Sequence, residues 1–225
     1  MEGFLKMVES SIRNCALFRS IDEESVATLL NCLGARRSLY KKTEFIFHVD
    51  DVASSVGVVV KGSVNVIQED YWGNRTILAH GSPGEIFGEA YSCAEEQRLP
   101  VSVVAAENSE IMLLDYRKIV STCSSACIFH THLISNMLRI VANNSITLTK
   151  KLEYVSKRTL REKLLAFLSA ESKQSNSPTV SIPFDRQQLA EFLCVDRSAL
   201  SRELSNMRRD GLIDYRKNQF TILKV

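Results

Sequence analysis

The chain has 225 residues, of which 45% are apolar and 24% charged, and its formal net charge is +2. That length buries a substantial core and leaves room for one large or two small domains, with two the expectation. The small net charge hides an asymmetry. Residues 1–149 hold 13 Lys and Arg against 17 Asp and Glu, while residues 150–225 hold 15 against 9, so the carboxy-terminal third is the part expected to meet a polyanion.

At the amino terminus, Met1 to Phe18 carries Glu2, Lys6, Glu9 and Arg13 within its apolar pattern, unlike the uninterrupted apolar core of a secretory signal. No stretch approaches ~18 consecutive apolar residues, so no membrane span is expected and a cytoplasmic protein is. In that setting the six cysteines read as buried thiols rather than disulfides.

Asp22 precedes the apolar pattern Val26, Leu29, Leu30, Leu33, and Gly34 follows it, which predicts a helix with an N-cap and a glycine stop. From about Ala35 the period changes. "FIFHV", "VGVVVKGSVNVIQED", "RTILAH" and "PVSVVAAENSEIMLLD" are short, rich in β-branched residues and separated by Gly57, Gly62, "WGN" and "GSPG", the pattern of a β-sandwich or barrel-like roll. "DYWGNRTI" reads as a hairpin with Gly73 and Asn74 near its tip.

After Asp115 glycine and proline are absent until Pro178, and helical periodicity returns. Ile134, Leu138, Val141, Ser145, Leu148, Leu152 and Val155 follow the 4-3 spacing of a coiled-coil seam. Such a seam either docks the helix on its own domain or pairs it with a twin. A long helix with a narrow stripe favours the twin, so a parallel homodimer is expected. A second helix, "KRTLREKLLAFLSAES", follows a break near Ser156, and "KQSNSPTVSIP" reads as a polar connection.

In the last region Asp185 caps a helix carrying Leu189, Ala190 and Leu193; "CVD" makes a short turn, and Arg197 opens a second helix with Leu200, Leu204 and Met207 inward, stopped by Gly211. Two short helices joined by a tight turn, followed by two strands in "LIDYRKNQFTIL", predict a winged helix-turn-helix. Arg197, Ser198, Ser201 and Arg202 lie opposite the apolar side of the second helix, where an arginine fork matches guanine O6 and N7 and a serine reaches a base or a phosphate. Arg186, Gln187, Arg208, Arg209, Arg216 and Lys217 suit backbone phosphates.

On "FDRQQLAEFLCVDRSALSREL" and "GEIFGE" the chain resembles the Crp/Fnr superfamily of bacterial transcription regulators, over essentially its whole length. The resemblance implies an α+β fold: an amino-terminal β-roll sensor of cyclic-nucleotide-binding type over residues 1–125, a dimerisation helix over 126–155, and a winged helix-turn-helix over 156–225. It also implies a homodimer on palindromic double-stranded DNA, with RNA polymerase a further partner if the regulator activates. Arg197 and Arg202 fall on the family's base-reading arginine positions, and Ser198 stands where many members have glutamate.

By the same resemblance, Gly88 and Glu89 match the pair that opens a short helix holding a cyclic nucleotide's phosphate and ribose hydroxyl. The arginine-serine pair that completes such a site is replaced by Leu99 and Pro100, with Arg98 one place earlier. Proline has no amide to donate and leucine does not compensate a buried phosphate charge. The expectation is therefore an unidentified small effector in a pocket of Gly88, Glu89, Ala90, Arg98, Leu99, Pro100 and Val101, rather than cyclic AMP or cyclic GMP.

Iron-sulfur members use a tight amino-terminal cysteine cluster. Here Cys15 and Cys32 are far apart and Ser109 stands near the place of the roll cysteine, so no such cluster is expected. Neither is haem, since Gly88 and Ala90 occupy positions where a haem member has ligands. Cys123, Cys127 and His130, in "CSSACIFHTH", could instead form a metal or redox site. A thiol- or metal-sensing regulator with no organic ligand is therefore the alternative to an effector-controlled one. Recognisable nucleophile-base pairs and Gly-rich phosphate loops are absent from the sequence, so an enzyme is not expected.

Overall fold

The computed structural model describes residues 9–94, 98–121 and 128–223. Its elements, in chain order, are α1 (Ser10–Arg13), a 3₁₀ turn (Ala16–Phe18), α2 (Glu23–Cys32), β1 (Arg36–Tyr40), β2 (Phe45–Phe47), β3 (Ser55–Lys61), β4 (Val64–Glu69), β5 (Arg75–Gly81), β6 (Ile86–Phe87), α3 (Glu89–Cys93), β7 (Ser102–Ala105), β8 (Ser109–Asp115) and α4 (Tyr116–Val120). They continue with α5 (Ile128–Val155), α6 (Leu160–Ser175), β9 (Thr179–Ser181), α7 (Arg186–Leu193), α8 (Arg197–Arg209), β10 (Ile213–Arg216) and β11 (Gln219–Ile222). The chain divides into two compact units. The first holds the residues up to Asn74 with Leu78–Asn144, and the second holds Arg75–Ile77 with the residues from Ser145 on.

In the first unit two four-stranded sheets, ordered β1-β8-β3-β6 and β2-β7-β4-β5, form the expected roll. The alternation of side chains along β3 sorts them between two cores. Val56, Val58 and Val60 join Met112 and Leu114 of β8 against Leu17, Phe18, Leu29, Leu30, Leu133 and Met137. Val59 points the other way, with Ile46, Val64, Phe87, Val103 and Ile111. The tip of the Phe87 ring lies against Gly57, where an added Cβ would come within 2.1 Å of Cζ, so glycine is what lets β6 close on β3 at the register Gly57↔Phe87.

Helix α2 starts where the sequence predicts. Asp22 accepts a hydrogen bond from the Ser25 amide at the head of α2. The amino-terminal half of α5 turns Leu133, Met137 and Ile140 into the roll's outer core. Asn136 pins that half by donating from Nδ2 to the carbonyls of Leu17 and Arg19, at 3.0 and 2.8 Å.

In the second unit α6 begins with a reciprocal cap between Thr159 and Glu162, and α7 with another between Asp185 and Gln188. Leu200, Leu204 and Met207 of α8 are fully buried, each worth about 1.5–3 kcal/mol on folding. Ala190, 1% exposed, lies on the packed side of α7. The turn between α7 and α8 passes through Cys194 in the left-handed region, at φ 54°.

One expectation is corrected here. "KQSNSPTVSIP" is not only a connection, because it contains β9, which pairs with β11 through Phe220↔Val180 to complete a three-stranded sheet ordered β10-β11-β9. Three residues carry too little pattern to announce a strand; the ladder of β11 and the burial of Val180 make it one. No described helix is long and apolar enough to cross a membrane.

Candidate nucleic-acid interface and effector pocket

Helix α8 presents Arg197, Ser198, Ser201 and Arg202 to solvent on the side away from Leu200, Leu204 and Met207. Its start is fixed by Asp196, whose carboxylate accepts from the Ala199 amide at 2.8 Å and from the Ser198 hydroxyl at 2.6 Å. These bonds, the Ser198 one foremost, hold the Asp196 carboxyl below the usual carboxylate range. Neither Arg197 nor Arg202 forms an ion pair among the described residues. The opposite, half-buried side of α8 is tied to α6, where Arg161 meets Glu203 at 2.5 Å and Asp210 at 2.8 Å.

The residues expected at phosphates divide into two sets. Arg186 lies over the rings of Tyr215 and Phe220, 4.8 and 5.0 Å from their centroids, and burial lowers its basicity. Arg208 pairs with Asp214 at 2.8 Å and also lies over Tyr215. Gln187 donates to Glu191 and Arg209 to Asn206, both along their own helices. Arg216 and Lys217 are exposed at the β10-β11 turn, where Lys217 takes φ 54°. Tyr215, which organises two of these arginines, had no signal in the sequence beyond being an aromatic residue in a basic strand.

In the roll, Gly88 takes φ 82° as it leads into α3, with Phe47 and the Ser55 carbonyl close beside it. Glu89 is 5% exposed. Burial raises its carboxyl above the ordinary value, opposed by a hydrogen bond from Asn144, whose Nδ2 donates to Glu89 Oε1 at 2.7 Å. Ala90 is exposed. Leu99 and Val101 are each 3% exposed. The Leu99 amide donates to the Asp51 carbonyl, and Arg98 donates from Nη1 to the Asp50 carbonyl at 2.7 Å. Pro100 is exposed. Among the described residues no ion pair joins Arg98 to Glu89. Asn144 escaped the sequence reading; its only signal was an asparagine pair one step from the seam.

Along α5, Leu138, Leu148 and Leu152 are 72%, 51% and 65% exposed, and Ile134 is 38% exposed. Ser145 is exposed and Val141 half-buried. Cys123 and Cys127 lie outside the described residues. His130 is buried, and its Nδ1 has no hydrogen-bond partner among the described residues. No group of three or more metal-ligating side chains occurs among the described residues.

Residues 37–126 match the family model of the cyclic nucleotide-binding domain, and residues 162–225 that of the Crp-like helix-turn-helix domain. The CRP-like protein Clp of Xanthomonas campestris pv. campestris is 23% identical over 95% of this chain and 94% of its own. The cyclic AMP receptor protein of Thermus thermophilus is 24% identical over 90% of this chain and 89% of its own. Among solved structures, that of the c-di-GMP-responsive regulator CLP of Xanthomonas campestris superposes with a TM-score of 0.74 at 19% identity, covering 91% of this chain and all of the other. FixK2 of Bradyrhizobium japonicum superposes with a TM-score of 0.67 at 20% identity, covering 84% of this chain and 93% of its own. With a nucleotide-binding-type roll, a long helix and a Crp-like helix-turn-helix all in place, the chain belongs to the Crp/Fnr superfamily of transcription regulators.

Proposed function

We propose that the protein acts as a cytoplasmic homodimer in which α8 of each protomer enters the major groove of a palindromic operator, under the control of a small effector in the roll. The observation that carries this reading is the exposed face of α8. Its arginines stand unpaired at the amino-terminal turns of a helix whose opposite side is locked to α6, and this is the part of a reading helix that meets base edges. Arg197 and Arg202 read guanines, Arg216 and Lys217 hold phosphates, and the apolar seam from Ile134 to Leu152 pairs the two α5 helices.

The replaced half of the pocket argues for an effector other than cyclic AMP. The backbone of Leu99 and the guanidinium of Arg98 are already engaged with the Asp50–Asp51 turn, and Pro100 supplies no amide. A Xanthomonas relative is described as c-di-GMP-responsive, so cyclic dinucleotides are the first ligands to test beside cyclic AMP. If the regulator activates, RNA polymerase is a further partner.

The experiment is operator selection from random duplex DNA with the full-length protein, followed by titration of wild type and the double variant Arg197→Ala/Arg202→Ala. Wild type is expected to select a palindrome and bind it in a salt-sensitive way. The double variant is expected to lose that preference. Equal binding of the selected site by both would overturn the assignment of α8.

A further inference from the structure

The hydroxyl proton of Ser198 already has a destination. Its Oγ lies 2.6 Å from Asp196 Oδ1, the same oxygen that accepts the Ala199 amide at 2.8 Å. The Asp196 carboxyl sits below the usual carboxylate range, so it is ionised at neutral pH and has no proton to give back. Ser198 is therefore the donor in this pair, and only the lone pairs of its oxygen remain. Ser198 is exposed on the second residue of α8, between Arg197 and Ser201.

Ser201 differs. Among the described residues its hydroxyl makes no hydrogen bond, so it is free to donate or accept, and such a group discriminates weakly among base edges. In the major groove, adenine N6 and cytosine N4 are donors, whereas guanine O6 and thymine O4 are acceptors. An oxygen that can only accept is attracted to the first pair and repelled by the second.

We propose that Ser198, held by Asp196 as an obligate acceptor, is a specificity-determining residue that selects an amino-bearing base, adenine or cytosine, over a keto-bearing one at one position of each operator half-site. It performs with a short, neutral side chain what a carboxylate would do there, and it does so because the helix cap takes its proton. This inference rests on α8 being the helix that enters the groove.

The test uses the full-length protein and the palindrome it selects from random duplexes. Wild type is expected to show one position per half-site tolerant of adenine and cytosine on one strand and intolerant of guanine and thymine there. Removing the exocyclic amine at that position, with purine in place of adenine or 2-pyrimidinone in place of cytosine, is expected to weaken wild-type binding about three- to tenfold, the range of one hydrogen bond. The same deletion should leave binding by Ser198→Ala unchanged. Asp196→Gly keeps a tolerated N-cap residue while releasing the hydroxyl to donate, so it should accept guanine or thymine at that position, with other positions unaltered.

Melting temperatures of both variants establish that they fold. Amine deletion costing wild type and Ser198→Ala the same, with Arg197→Ala/Arg202→Ala still abolishing selection, overturns the role of Ser198 alone. Unchanged selection by the double arginine variant overturns the reading of α8 and this inference with it.

Discussion

Asn144 Nδ2 donates to Glu89 Oε1 across 2.7 Å, joining the long helix α5 to the first residue of α3 from 55 positions away in the chain. The carboxylate that the family resemblance assigns to a ligand hydroxyl thus has a donor from its own chain. Asn144→Ala removes that donor from a buried acceptor, and the expected cost is about 1–3 kcal/mol, read by chemical denaturation. Glu89→Gln keeps an oxygen for Asn144 and removes the charge, so its stability should equal or exceed that of wild type at neutral pH. The sign of the pH dependence follows from burial raising the folded-state value above the ordinary 4.5. Glu89 then favours the folded state fully below about 4.5 and loses this advantage as the pH rises through its folded value. The difference between Glu89→Gln and wild type should grow from pH 4.5 to pH 7, and a flat difference would contradict the assigned shift.

Lys151 of α5 is 9% exposed, donates to the Ile77 carbonyl, and lies 4.4 Å from the Phe192 ring centroid. Burial lowers its ammonium from 10.5 to about 8, opposed by the Cys194 thiol group. The folded chain therefore binds fewer protons than the unfolded one between these values, and stability should rise with pH across that window, by roughly 3 kcal/mol in total. Lys151→Met should flatten the rise relative to wild type, measured by denaturant titration at pH 7, 8, 9 and 10.

The two classes of basic residue should separate in DNA binding. Lys217→Gln, at the exposed turn of the wing, is expected to lower the slope of log K against log salt by about 1 without altering base preference. Arg186→Gln removes a guanidinium from between Tyr215 and Phe220, so it should cost about 1 kcal/mol of folding stability. Equal loss of stability in both variants would remove the distinction.

Leu138 and Leu152 are exposed in one protomer, so Leu138→Glu with Leu152→Glu should leave the fold of each unit intact. In the proposed dimer they would face their own copies, and the substitutions should shift sedimentation to the monomer at micromolar concentration. A dimer that survives both changes would place the interface elsewhere.

Much of this was legible in the sequence because it is periodic. Leu200, Leu204 and Met207 announce the buried side of α8, and Asp22 and Asp185 mark the heads of their helices. The α5 helix was only half legible. Its seam, Ile134 to Leu152, masks a second stripe of Leu133, Met137 and Ile140, offset by one residue, which packs on the roll. The contact of Glu89 with Asn144 joins residues whose proximity no local pattern encodes, and β9 exists only because β11 is beside it. The basic residues proposed to meet DNA were visible as composition, but which of them are already engaged, Arg208 with Asp214 and Arg186 with two rings, depends on tertiary packing.

A single carboxylate, Asp196, both caps α8 and orients the serine beside it. Under the proposed reading of α8, exchanging Asp196 would therefore touch operator preference and helix integrity together. If α8 reads the operator as proposed, a lineage that exchanges the cap changes the dialect of that helix in the same step, and only one that keeps both Asp196 and Ser198 keeps the preference along with the fold.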